Sequence, residues 1–147
     1  MIWSSATHLV RCGNNKKAMG ESVSRILFVG AGGAVGSMLR YVLAGVVQRT
    51  TSLFPIGTVA VNVGGCFLIG ILSERLAEAN IDPIYRTAIL VGLLGGFTTF
   101  STFSLDTLKL AEDGQLGLAL VNVGGTVTLC LGACWTGLRL AKWWVMP

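Results

Sequence analysis

The run Ile56-Gly57-Thr58-Val59-Ala60-Val61-Asn62-Val63-Gly64-Gly65-Cys66-Phe67-Leu68-Ile69-Gly70-Ile71-Leu72 carries no charge and decides the fold. A helix rises about 1.5 Å per residue and a bilayer's hydrocarbon core is about 30 Å thick, so a run of this kind reads as a membrane span. Comparable apolar runs lie at residues 26–47, 88–105 and 116–138. Pro55 and Gly57 mark the turn before the quoted run. The charged stretch Glu74, Arg75, Glu78, Asp82 and Arg86, with its Asp82-Pro83 turn signal, follows it. Four spans place both termini on one side of the membrane.

Composition agrees. Of 147 residues, 52% are hydrophobic and only 12% charged, with a mean hydropathy of +0.70. A soluble core of this size could not bury so much apolar surface, and the charged share is about half that of a soluble domain. The formal charge is +4 and the pI near 9.1. The Lys and Arg residues stand singly at the ends of apolar runs, which is membrane placement and excludes a nucleic-acid partner. Cys12, Cys66, Cys130 and Cys134 have no C-x-x-C spacing and read as inert packing residues. His8 is the only histidine and lies in the polar N-terminal segment, which excludes a His-based metal or catalytic site within the spans.

Residues 1–24 read as a polar extension, expected to be disordered, and 25–147 as one membrane domain. The extension holds no signal-peptide pattern, and Met19 offers an alternative start. Glycines spaced four apart, Gly32/Gly36 and Gly92/Gly96, predict close backbone approach between helices that lack a hydrophobic driving force in lipid. The stretch from Gly30 to Gly36 imitates a dinucleotide-binding turn. Val35 breaks the strict pattern, and Thr50-Thr51-Ser52 stand where a ribose-binding acid would be needed.

The chemistry concentrates in Gly95-Gly96-Phe97-Thr98-Thr99-Phe100-Ser101-Thr102-Phe103-Ser104. Paired glycines and hydroxyl side chains inside a span predict a break in the third helix near Gly95 to Thr98, and carbonyls freed there form a ready cation site. A glycine-rich packing seam would give the same composition. Phe100 and Phe103, three apart, share a helix face, where ring edges of positive potential can stabilise a partly dehydrated anion without a formal charge. Core packing is the plainer use of such a pair. Asn62 carries an amide that must face protein or a pore, and an interhelical hydrogen bond would satisfy it equally. Arg40 is the only basic residue within a span, where it marks either an ion pathway or a side chain snorkelling to the headgroups.

Taken together, Gly33 through Arg40-Tyr41, the Gly57-Thr58-x-x-Val61-Asn62-x-x-Gly65-Cys66-x-x-x-Gly70 run and the Gly95–Ser104 stretch resemble the Fluc (CrcB) fluoride channels. The resemblance covers Arg25 to Leu138 and is weaker after Asp106. It implies an all-α integral membrane protein of four helices, with a broken third helix, paired as an antiparallel dimer with two pores. Fluoride would pass passively out of the bacterial cytoplasm with chloride excluded, so the protein would be no enzyme. Phe100 and Phe103 would be edge-on aromatic ligands, Asn62 a pore-lining donor, and Ser101 and Thr102 a polar track. Arg40 would stand near the aqueous vestibule. Carbonyls of Gly95 and Thr98 from both subunits would hold a structural sodium ion. The chain departs from the family at Asp106, usually Glu, and at Asn122 and Thr126 in the fourth span, often Tyr and Ser.

A proton-coupled exporter of the small multidrug-resistance kind is the rival reading, and it needs a carboxylate deep in a span; Asp106 stands at the end of one. A membrane enzyme would lack reactive groups. The expected location is the bacterial inner membrane. Arg11, Lys16, Lys17, Arg25, Arg75, Arg86, Arg139 and Lys142 fall on the terminal face, against Arg49 and Lys109 on the other. That bias favours cytoplasmic termini. An antiparallel homodimer needs half its copies inverted, so the alternatives are a start at Met19 with dual insertion or pairing with a paralogue.

Overall fold

A computed structural model of the chain describes residues 4–49 and 53–143, with side chains described from Met19 onward. Among the described residues all regular secondary structure is helical. Helix α1 runs Ser4–Gln48, α2 Ile56–Glu78 and α3 Pro83–Thr87; a π-helical segment covers Ala88–Leu94, followed by α4 Gly95–Phe97, α5 Phe100–Glu112 and α6 Leu116–Trp143. Among the described residues, four helical stretches are long and apolar enough to cross a membrane: Met19–Gln48, Ile56–Glu78, Pro83–Glu112 and Leu116–Trp143. They outrun the sequence-based bounds because Glu78, Arg86, Lys109 and Lys142 continue the helices into the headgroup region, where long charged side chains reach water. The backbone of the N-terminal extension continues α1 from Ser4. The side chains of His8, Arg11, Cys12, Lys16 and Lys17 lie outside the described residues, as do Met1 and Thr50-Thr51-Ser52.

The turns follow local chemistry. Asp82 caps α3 by accepting from Ile84 N at 2.9 Å, with Pro83 at the first helical position. At the end of α5, Gly114 takes φ 76°, a left-handed conformation that costs glycine nothing. Its N–H donates to Ala111 O and that of Gln115 to Leu110 O, closing the helix in a Schellman motif before α6 begins.

Two helix pairs form the subunit. α1 lies along the third span, and the glycines singled out by their spacing make that contact. A Cβ at Gly32 would stand 2.5 Å from Ala88 O, one at Gly92 2.6 Å from Val29 O and one at Gly96 2.6 Å from Gly33 O, while one at Gly36 would run into the Leu93 backbone. Spans two and four pack likewise, Gly70 against the Cys134 carbonyl and Gly137 against Phe67, with Lys142 and Glu74 paired at 3.7 Å where both helices end. Cys66, Cys130 and Cys134 are free thiols.

Few large apolar side chains are buried, chiefly Val61, Leu94, Phe103 and Leu110, while Met38, Tyr41, Leu105, Val121 and many others are exposed. That surface suits a lipid solvent and helix contact through backbone rather than interlocking side chains. Gly36→Leu should therefore separate α1 from the third span and give aggregated or unfolded protein on gel filtration after detergent extraction. Gly30→Leu, at a position with open space around it, should elute as the wild type.

Candidate functional site

In the third span, Thr98 (φ −81°, ψ 156°) and Thr99 (φ −149°, ψ 115°) are extended, between helical Gly95–Phe97 and the start of α5 at Phe100. The paired glycines stay in the helix and the irregular residues are the two threonines. The reason is contact rather than intrinsic flexibility: Gly96 continues the close seam toward α1 and Gly95 has open space beside it, whereas the threonines meet α2. Gly65 makes room for the Thr98 methyl group. One turn earlier on α2, Asn62 grips Thr99 at both ends of its peptide groups, Nδ2 donating to Thr99 O at 3.0 Å and Oδ1 accepting from Thr99 N at 2.7 Å. Asn62 and Thr99 are buried.

Hydroxyls complete the local pairing. Thr99 Oγ1 caps α5 by accepting from Thr102 N at 3.2 Å and also meets Thr102 Oγ1 at 3.0 Å and Ser101 Oγ at 3.1 Å. Thr98 Oγ1 donates back to Leu94 O at 3.1 Å, and Ser37 Oγ on α1 reaches Gly96 O at 3.4 Å. Directly after the extended pair come the two rings, Phe100 and Phe103, with centroids 5.3 Å apart and planes at 49°. They differ sharply in setting. Phe103 is 7% exposed within the subunit and Phe100 is 76% exposed on its outer surface.

A cavity of about 640 Å³ opens from one end of the bundle toward this region, and Arg40, Thr58, Thr99, Thr102, Asp106 and Lys109 are among its lining residues. Arg40 lies two turns inside the end of α1 and is half-buried. Asp106 Oδ2 accepts from Thr58 Oγ1 at 2.7 Å, so the shorter carboxylate finds a partner on α2. Gln48 ties the end of α1 to the start of α2, its amide donating to Phe54 O at 3.0 Å and accepting from Gly57 N at 3.1 Å. Behind the rings, Asn122 is 1% exposed and donates to Thr107 Oγ1 at 2.8 Å; Thr107 Oγ1 in turn bonds Phe103 O at 2.7 Å, and Thr126 Oγ1 donates to Asn122 Oδ1 at 3.2 Å.

Thus Asn62 is bonded to the stretch of the third span that holds Gly95, Thr98, Phe100, Ser101, Thr102 and Phe103, and Arg40 lines the neighbouring cavity. Sequence reading assigned no role to Thr99, Thr58 or Gln48. For Thr99 a signal existed, since a Thr before a helical run is a strong N-cap; the Thr58–Asp106 pair has none, because its partners are 48 positions apart.

Four apolar spans with an uncharged polar seam in the middle of the third define a small multi-pass membrane protein. The chain belongs to the CrcB family, CrcB-like protein, Camphor Resistance (CrcB), whose pattern matches residues 27–138. It is similar to the fluoride-specific ion channel FluC of Citrifermentans bemidjiense, 44% identical over 122 residues that cover 82% of this chain and 98% of the relative. The fluoride-specific ion channel FluC of Stutzerimonas stutzeri is 48% identical over 116 residues, 78% of this chain and 94% of the relative.

Asn62→Ala should lower the apparent melting temperature of the purified protein. It deletes two buried hydrogen bonds worth about 1 kcal/mol each and takes the partner from both Thr99 peptide groups. A melting temperature equal to the wild type's would show that the clamp holds nothing.

Proposed function

We propose that the protein is a fluoride-selective passive ion channel that lets fluoride leave the cytoplasm, and not an enzyme. The observation that carries the reading is the uncharged stretch at the extended pair, where Asn62 is bonded to the Thr99 backbone and two Phe rings 5.3 Å apart follow among hydroxyl side chains. Ring edges, the second N–H of Asn62 and the Ser101 and Thr102 hydroxyls supply partial positive charge without a cation that would trap fluoride. The FluC relatives, alike over nearly their whole length, support the same substrate. Arg40 at the vestibule would draw anions toward this site. A proton-coupled exporter gains no support, because Asp106 lines the open cavity and is bonded to Thr58.

The exposed Phe100 ring would be completed by a second subunit, which is our reason for reading the protein as an antiparallel dimer with a broken third helix as its central element. Thr99 N–H, which a continuous helix would aim at Gly95 O, is held by Asn62, and the extended Thr98 turns its own carbonyl out of the helical ladder. Neutral oxygens of this kind fit a hard monovalent cation. We assign Gly95 and Thr98 to a structural sodium ion shared between subunits.

Phe100→Ile and Phe103→Ile keep apolar bulk and remove the ring edges. Each should reduce fluoride efflux from proteoliposomes at least tenfold while the variant remains folded; normal rates in both would refute the aromatic assignment. Cysteine-accessibility labelling of the termini in cells lacking a paralogue should modify both membrane sides, as dual insertion of a homodimer requires. Labelling from one side alone, with efflux intact, would rule out the antiparallel homodimer.

A further inference from the structure

A second cavity, of about 490 Å³, lies far from the Phe pair, where the end of α2 meets the start of the third span. Its depth is fixed by the fold: the link between Glu78 and Pro83 joins two membrane spans and so sits at headgroup level. The lining divides by polarity. Leu90 and Val91 lie inside the third span, Asp82 and Arg86 stand at its start, and Leu76 comes from the last turn of α2.

Asp82 and Arg86 are both exposed. They are one helical turn apart, yet no ion pair joins them among the described residues, and Asp82 spends one oxygen on the Ile84 cap. An available cation and an available anion therefore share one mouth above an apolar wall. We propose that this cavity binds a phospholipid with a zwitterionic aminoethyl phosphate head, the phosphate on Arg86, the ammonium on Asp82 and an acyl chain along Leu90 and Val91. Charge complementarity selects this occupant over an anionic lipid. A glycerol phosphate head would satisfy Arg86 while leaving Asp82 facing a negative group. Cavities of this volume are ordinary for ligands of headgroup size. The site is independent of the ion pathway, so its test does not depend on fluoride transport.

Native mass spectrometry of the full-length protein in detergent, with equimolar phosphatidylethanolamine and phosphatidylglycerol, tests it. The wild type should retain phosphatidylethanolamine in clear preference. Arg86→Gln should weaken retention of both lipids about fivefold, the effect of one basic residue near a membrane surface. Asp82→Asn keeps an oxygen to cap Ile84 while removing the charge, and should abolish or reverse the preference. Equal retention of the two lipids by the wild type, an unchanged preference in Asp82→Asn, or unchanged retention in Arg86→Gln would overturn the site. So would an equal loss in Arg139→Gln, whose guanidinium lies over Trp135 and not in this cavity, because general surface charge would then be the cause.

Discussion

The two hydrogen bonds between the Asn62 amide and the Thr99 backbone are the constraint on which the rest of the subunit depends. In hydrocarbon an unpaired peptide group costs several kcal/mol, so extended backbone at mid-membrane survives only if some side chain takes over the lost helical bonds. Asn is well suited, since one planar group offers a donor and an acceptor side by side. With Thr99 fixed, its hydroxyl caps α5, the starting point of α5 is set, and the positions of Phe100 and Phe103 follow from it.

Holding this arrangement together requires helices that come very close without a water-driven force between them. The glycine seams meet that need by bringing backbone against backbone, α1 on the third span and α2 on α6. The consequence is a division of labour along the sequence. Glycines set where the helices lie, and the few polar side chains inside the spans set what the third span does where its helix is interrupted. On the far side of α5, Thr107 of α5 itself donates to the Phe103 carbonyl, and Asn122 and Thr126 of α6 hold Thr107 in place.

Much of this was legible in residue order. Apolar run length fixed the number of spans, and the four-residue spacing of Gly32/Gly36 and Gly92/Gly96 named the contacts that the structure contains. The polar stretch from Gly95 to Ser104 contains the interruption of the third span. The position of the extended residues was not legible to the residue, since glycine propensity pointed to Gly95 while the deciding partner, Asn62, stands on another span. For the same reason the Thr58–Asp106 bond and the Gln48 clasp could not be read: each depends on tertiary proximity that no local pattern encodes. The π-helical turns of Ala88–Leu94 left no sequence signature either.

The interruption at Thr98 and Thr99 also has an electrical meaning. Peptide dipoles sum along a helix to about half a positive charge at its N-terminus and half a negative charge at its C-terminus. An unbroken span would keep both poles at the membrane surfaces, where water screens them. Interrupted here, the third span carries two poles inward: the negative end of the segment finishing at Phe97 and the positive end of α5 beginning at Phe100, three residues apart in a medium of low dielectric. One short stretch of neutral chain thus presents fields of opposite sign side by side, the first favouring a cation at carbonyl oxygens and the second an anion at amide hydrogens. No ionisable side chain is needed for either, so neither field changes with pH.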